Sequence, residues 1–248
     1  VIGRRPAAWH TATVVESTPE AQNARLIVFD IPTWPGNDAG SHLDVRLTAP
    51  DGYQATRSYS IASAGEGTRV SIAVAEVPTG EVSPFLVHEL RAGDEVEVHG
   101  PLGAFFVWRP SETPRPVQLI GGGSGVVPLV AMATAHAASS DASPFRLLYS
   151  VRTPEDAFFA RELEALADDG ASPSLEIDWA YTRQAPPGWP TPPGRLTREQ
   201  LEALVVPAAD DPLVFICGPT PFVEAVASWL TDLGHSPGSI RTERFGGS

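Results

Sequence analysis

VQLIGGGSGVVP, residues 117–128, is an apolar run that breaks into consecutive glycines and then enters the alanine-rich stretch VAMATAHAAS at 130–139. A strand running into a glycine turn and then a helix is a place where backbone can approach an anion. The helix N-terminus offers free N–H groups and the positive end of its dipole. Spaced as Gly123-x-Gly125-x-x-Pro128, the stretch carries proline where the usual dinucleotide fingerprint has its third glycine. Taken alone it also reads as a plain glycine-rich turn. What surrounds it decides the fold.

Downstream, strand-like and helix-like stretches alternate. FRLLYSV (145–151), PEDAFFARELEALA (154–167), SLEIDWAYT (174–182), LTREQLEAL (196–204), PLVFICG (212–218), PFVEAVASWLTDL (221–233) and SIRTERF (239–245) follow one another. Phe158, Phe159, Leu163, Leu166 and Ala167 give the second of these a helical apolar face. Alternating strands and helices predict βαβ units around a parallel sheet. QAPPGWPTPPG (184–194) reads as an exposed proline-rich loop.

Upstream the pattern differs. HTATVVES, ARLIVFDI, SHLDVRLT, TRSYSIAS, TRVSIAVAEV and DEVEVHG are short β-branched runs separated by Gly, Pro and Asp within residues 10–100. Leu43, Val45 and Leu47 alternate with polar residues, as in a half-buried strand. Runs at this spacing predict a closed or sandwiched antiparallel sheet. SPFLVHEL, from Ser83, is the one short helix here, with Ser83 expected as its N-cap. RPSETPRP (109–116) is the boundary, which predicts domains at 1–110 and 117–248 joined by a 111–116 linker.

Composition narrows the chemistry. The 248 residues fit one large domain or two smaller ones, 42% are apolar and 19% charged, and the net charge is −13. All 17 basic residues are arginine, and so acidic a chain speaks against broad nucleic-acid binding. Cys217 is the single cysteine, so an internal disulfide, an iron–sulfur cluster and a thiolate zinc site are excluded, and the six histidines lack ligand spacing. Any redox chemistry therefore needs an organic cofactor. No stretch reaches the roughly 18 apolar residues of a membrane span, and the start lacks a signal-peptide pattern, so the expected compartment is the cytoplasm.

Other stretches carry candidate chemistry. After the strand ending at Val151 stands Arg152, where an NAD site places a carboxylate. Thr182 and Arg183 end the next strand, and Arg195 follows the proline loop. A guanidinium suits a 2′-phosphate; singly, each arginine also reads as loop solvation. Arg57-Ser58-Tyr59-Ser60 offers an arginine, an aromatic ring and a hydroxyl. A regular strand puts Arg57 and Tyr59 on one face and Ser60 on the other, so a strand end or bulge must bring Ser60 round. Gly80-Glu81-Val82-Ser83 opens the short helix with N–H groups and a hydroxyl, and by itself reads as a helix cap.

In this order the motifs resemble the ferredoxin–NADP(+) reductase superfamily, over nearly the whole chain. Its Arg-x-Tyr-Ser motif matches Arg57, Tyr59 and Ser60; its Gly-x-x-Ser motif matches Gly80 to Ser83; its Gly-Pro-x-Gly-x-Phe corner matches Gly100, Pro101, Gly103 and Phe105. Gly-Gly-x-Gly-x-x-Pro matches Gly122 to Pro128, Cys-Gly-Pro matches Cys217 to Pro219, and the terminal carboxylate-x-aromatic matches Glu243 and Phe245. The resemblance implies an N-terminal six-stranded antiparallel β-barrel that binds FAD and a C-terminal α/β parallel-sheet domain that binds NAD(P). Arg57 is then expected on an FAD phosphate, Tyr59 on the isoalloxazine and Ser60 near flavin N5, with Ile61 and Val74 completing the flavin contacts. Gly80, Glu81, Val82 and Ser83 are expected at the pyrophosphate. Gly122, Gly123, Gly125, Val126 and Pro128, together with Arg152, Thr182, Arg183 and Arg195, are expected to bind the nicotinamide nucleotide. Cys217, Gly218 and Pro219 fall by the nicotinamide.

The implied catalytic set is Ser60, Cys217, Glu243 and Phe245, with Phe245 covering the flavin and moving aside for hydride. Cys217 also reads as a small buried residue, Glu243 as a partner of Arg241 or Arg244, and Phe245 as core. The arginines favour NADPH over NADH. With one cysteine the chain has no fused four-cysteine ferredoxin, so the implied acceptor is a separate ferredoxin or flavodoxin. A patch of Arg4, Arg5, Arg57, Arg241 and Arg244 would receive such acidic carriers. Direct reduction of free flavin, quinone or another small acceptor, a flavin subunit of a larger complex, and a nucleotide sensor remain the alternatives.

Overall fold

The computed structural model describes residues 6–168 and 175–246. The chain divides into two units, Val1–Trp108 and Arg109–Ser248.

In the first unit, β-branched alternation builds one six-stranded antiparallel sheet. Its strands are β1 (Ala8–Pro19), β2 (Ala24–Asp30), β3 (His42–Thr48), β4 (Gln54–Ser60), β5 (Arg69–Ala75) and β6 (Glu95–Leu102), in the order β4-β3-β6-β1-β2-β5. The two edges meet where Ile61 bridges Ile72 and the Ala62 N–H donates to the Ser71 carbonyl at 2.7 Å, which closes the sheet into a barrel. Closure removes the unpaired edges that an open sheet would expose. Leu43 and Val45 of β3, Ile27 and Phe29 of β2, and Val70, Ile72 and Val74 of β5 fill the interior. Helix α1 (Ser83–His88) adds Leu86 and Val87 to the same core.

Ser83 is the first residue of α1, and the N-cap is Val82. The Ser83 hydroxyl accepts the Val77 N–H at 3.0 Å instead of capping its own helix. It pins the turn before α1 to the end of β5.

In the second unit the strands are β7 (Val117–Gly122), β8 (Phe145–Val151), β9 (Leu175–Tyr181), β10 (Leu213–Pro219) and β11 (Ile240–Phe245). They form a parallel sheet in the order β11-β10-β7-β8-β9. The helices are α2 (Val127–Ala137), α3 (Ala160–Asp168), α4 (Arg198–Leu204) and α5 (Thr220–Asp232). Leu201 and Val205 at the end of α4 and Val223, Val226 and Leu230 of α5 pack on Ile120, Leu148, Val214 and Ile216 of the sheet. Helix α2 is apolar nearly all round, and Leu129, Met132 and Ala133 are all buried. Helix α4 begins with a reciprocal capping box between Thr197 and Gln200.

Central strand β7 is buried along its whole length and carries one polar side chain, Gln118. Its amide donates to the Leu119 and Arg146 carbonyls at 3.1 and 3.2 Å and accepts the Val206 N–H at 2.9 Å. Every polar function is met, which removes the desolvation cost of burying an amide.

The helical face expected from Phe158 onward is shortened. Helix α3 starts at Ala160, and of its residues only Leu163 is buried. Phe158 and Phe159 are buried ahead of the helix. The Phe158 N–H donates to the Tyr149 hydroxyl at 3.0 Å, and Phe159 sits at φ 55°, so neither has helical geometry.

Candidate functional site

In the first unit the interesting residues gather where β4 leaves the barrel. Ser60 is its last residue, and the next N–H, of Ile61, donates to the Ser41 carbonyl at 2.9 Å. The strand end that the Arg57–Ser60 motif requires is therefore present. Tyr59 packs against the barrel core, and burial pushes its phenol up to about 12, against the opposing pull of Arg57. The phenol is neutral at any physiological pH. Ile61 and Val74 are fully buried in the barrel core, backbone included, so neither presents surface to a ligand in this structure.

Arg57 stands half exposed beside the turn that precedes α1. Its Nη2 donates to Glu81 Oε2 at 2.9 Å and its Nη1 to the Thr56 carbonyl at 2.8 Å. The second Glu81 oxygen accepts the Tyr53 hydroxyl at 2.9 Å. The fold thus brings the 57–60 and 80–83 motifs together through one carboxylate. Gly80 is required by close approach, since a Cβ there would meet the Val77 carbonyl oxygen at 3.0 Å and Ser83 Oγ at 3.2 Å. Tyr53 is a site residue that sequence reading misses. It belongs to the Asp51-Gly52 turn between β3 and β4, where its N–H donates to Asp51 Oδ1 at 3.0 Å. The Asp-Gly pair announces that hairpin turn, but nothing in the spacing says its tyrosine reaches Glu81.

In the second unit the site is built by backbone. The strand order reverses at β7 and β10, because β8 and β9 lie on one side of β7 and β10 and β11 on the other. Sheets of this kind open a crevice there, at the carboxyl ends of the strands. Two glycine-bearing turns line it. Gly123 has φ +56° with open space around it, whereas a Cβ on Gly125 would lie 2.2 Å from the Cys217 carbonyl oxygen. Gly122 and Gly218 likewise abut each other beneath the Phe222 ring. Val126 is buried at the start of α2, and Pro128 occupies its first turn, where a missing N–H costs nothing.

Cys217 pairs with Gly121 of β7 and Glu243 of β11 across the parallel ladder, and Pro219 pairs with Phe245. The thiol is buried, and burial reinforced by the Glu243 charge raises its pKa well above the ordinary value. It is a neutral thiol that fills space. Glu243 is half-buried, and Phe245 exposes 38% of its surface at the strand end.

The arginines lie on the same carboxyl edge. The Thr182 N–H donates to the Val151 carbonyl and the Arg183 N–H to the Arg152 carbonyl, at 2.8 and 2.9 Å. The proline loop folds back onto β9. Trp189 packs edge-on to Tyr181 at 5.0 Å, and the Gly194 N–H donates to the Tyr181 carbonyl at 3.0 Å. That return delivers Arg195 beside the end of β9. Arg152, Arg183 and Arg195 are exposed, and none has an ion-pair partner among the described residues.

Two arginines of the patch expected for an acidic carrier are matched by carboxylates. Arg57 pairs with Glu81 at 2.9 Å and Arg244 with Glu224 at 2.7 Å, while Arg241 lies over the Phe215 ring. Arg4 and Arg5 fall outside the described residues. Among the described residues, no cluster of three or more His, Cys, Asp or Glu could hold a metal ion, and no helix is long and apolar enough to cross a membrane.

Residues 11–107 match the oxidoreductase FAD-binding domain family and residues 119–228 the oxidoreductase NAD-binding domain family. The two matches fall one on each unit. The chain belongs to the ferredoxin–NADP(+) reductase superfamily. It is 34% identical over 96% of its length to the glycine betaine monooxygenase reductase subunit of Chromohalobacter salexigens, covering 64% of that protein. It is 31% identical over 82% of its length to the toluate 1,2-dioxygenase electron transfer component of Pseudomonas putida, covering 58% of it. The chain therefore spans only about three fifths of these superfamily relatives. Among solved structures, the FAD/NAD-binding domain of a Vibrio cholerae nitric oxide dioxygenase superposes with a TM-score of 0.82 at 25% identity, covering 96% of this chain and 99% of that one.

Proposed function

We propose that the protein takes hydride from NADPH onto bound FAD and hands the electrons singly to a separate ferredoxin or flavodoxin that feeds an oxygenase. The observation that carries this is the carboxyl edge of the second sheet. Gly123 there has open space around it, Gly122, Gly125 and Gly218 let the two turns pack without side chains between them, and exposed Arg152, Arg183 and Arg195 stand on the same edge without carboxylate partners among the described residues. In a chain of net charge −13, unmatched arginines at the end of two adjacent strands suit a 2′-phosphate, so NADPH is preferred to NADH.

The donor set of the first unit fits an FAD diphosphate. The guanidinium of Arg57 already holds an anionic group, the Glu81 carboxylate, in the geometry a phosphate oxygen would use. FAD, when bound, supplies what side chains lack: it accepts a hydride and releases electrons one at a time. Arg57 and the Ser83 hydroxyl hold the diphosphate, Tyr59 presents a neutral ring, and Ser60 places a hydroxyl at the strand end. In the second unit Cys217 acts by its bulk, with Glu243 as the carboxylate on the neighbouring strand. Two superfamily relatives are named as an electron transfer component and a reductase subunit, which supports a protein acceptor.

The test is an anaerobic titration of the FAD-loaded protein, followed by its visible spectrum. About one equivalent of NADPH should bleach the flavin bands, and NADH should do so only at much higher concentration. A protein that takes up no FAD overturns the reading. Equal bleaching by both nucleotides removes the 2′-phosphate site and keeps the reductase.

A further inference from the structure

Glu81 sits in the middle of the expected diphosphate site, yet it carries the same sign of charge as the ligand. Its two oxygens divide the neighbouring donors between them. Oε2 takes Arg57 Nη2 and Oε1 takes the Tyr53 hydroxyl, each at 2.9 Å. Both charged partners are half exposed, at 51% for Arg57 and 49% for Glu81. A pair this open is weakly held, because water competes for each member. A diphosphate offers the same planar donors a stronger, more highly charged acceptor.

From this we propose that Glu81 is a displaceable counter-ion of the flavin site. It keeps Arg57 and Tyr53 aimed while no diphosphate is present, yields Arg57 to the incoming ligand, and then weakens FAD affinity by standing beside it as a like charge. The proposal rests on the flavin reading above. It gives the side chain at position 81 a specific role, that of setting how readily FAD leaves.

The experiment compares wild type and Glu81→Gln, using the quenching of FAD fluorescence on binding to the apoprotein at several salt concentrations. Riboflavin, which has the ring but no phosphate, is the control ligand. Glu81→Gln should bind FAD about fivefold more tightly at low salt and lose affinity more steeply as salt rises, because Arg57 is then unneutralised. Riboflavin affinity should be the same in both proteins. Equal or weaker FAD binding by Glu81→Gln overturns the proposal while leaving FAD binding itself intact. An equal gain for riboflavin overturns it too, since the effect would then not pass through phosphate. If neither protein binds FAD, the functional reading falls and this proposal with it.

Discussion

The two units hold their candidate sites by opposite means. In the second, the site is defined by what cannot be there: Gly125 faces the Cys217 carbonyl with no room for a side chain, and Gly122 and Gly218 meet beneath Phe222. In the first, it is defined by exchangeable contacts among exposed side chains, Arg57, Glu81 and Tyr53. Backbone sterics tolerate almost no substitution. A solvent-exposed ion pair tolerates many and can be retuned by one. Damage should therefore be structural in the second unit and graded in the first.

The hardest test of that contrast is Gly125→Ala. Its Cβ would fall 2.2 Å from a backbone oxygen, so α2 or β10 must shift. A loss of about 3 kcal/mol of stability is expected in denaturant unfolding, with nucleotide binding lost as well. A variant as stable as wild type would mean the turn is less confined than its geometry says.

Next is the Tyr59 phenol, whose pKa rises from the ordinary 10.0 to about 12 in the folded barrel. The folded state keeps its proton where the unfolded chain has lost it, so stability is complete below pH 10 and falls as pH climbs toward 12. The loss across that window is roughly 2–3 kcal/mol. Unfolding of wild type and Tyr59→Phe at a series of alkaline pH values checks it, and the variant should show the flatter slope.

Smaller is the expected effect of Arg152→Ala and Arg183→Ala. Each should raise the NADPH concentration needed for half-maximal reduction by about tenfold and leave NADH unchanged, through loss of one charged hydrogen-bonding partner. Steady-state kinetics with both nucleotides decides it. Smallest is the response of Cys217 to iodoacetamide near neutral pH. A buried thiol with a raised pKa should stay unmodified in the native protein and react only in denaturant, as read by mass spectrometry.

The sequence shows most of the fold because period and punctuation agree along it. Leu43 and Val45 alternate into the barrel core, and an apolar strand runs into the glycines, which the residues alone suggest, although Gly121 and Gly122 still belong to that strand and the turn begins at Gly123. The misses share a cause. Phe158 and Phe159 carry a helical period, yet the Tyr149 hydroxyl captures the Phe158 N–H and the helix starts later. Ser83 looks like a cap, yet its hydroxyl serves Val77. Barrel closure at Ile61 and Ile72, and the link from Arg57 to Glu81 across 24 residues, depend on strands arriving from elsewhere. Side-chain acceptors and long-range register leave no local period to read.

Gln118 carries a consequence that reaches beyond its own strand. Its Oε1 is the acceptor for the Val206 N–H, and Val206 lies in the loop after α4, outside any helix or strand. That amide is therefore tied to the most deeply buried strand of the sheet. In deuterium it should exchange as slowly as the core, making it a loop proton that reports global opening of the second unit.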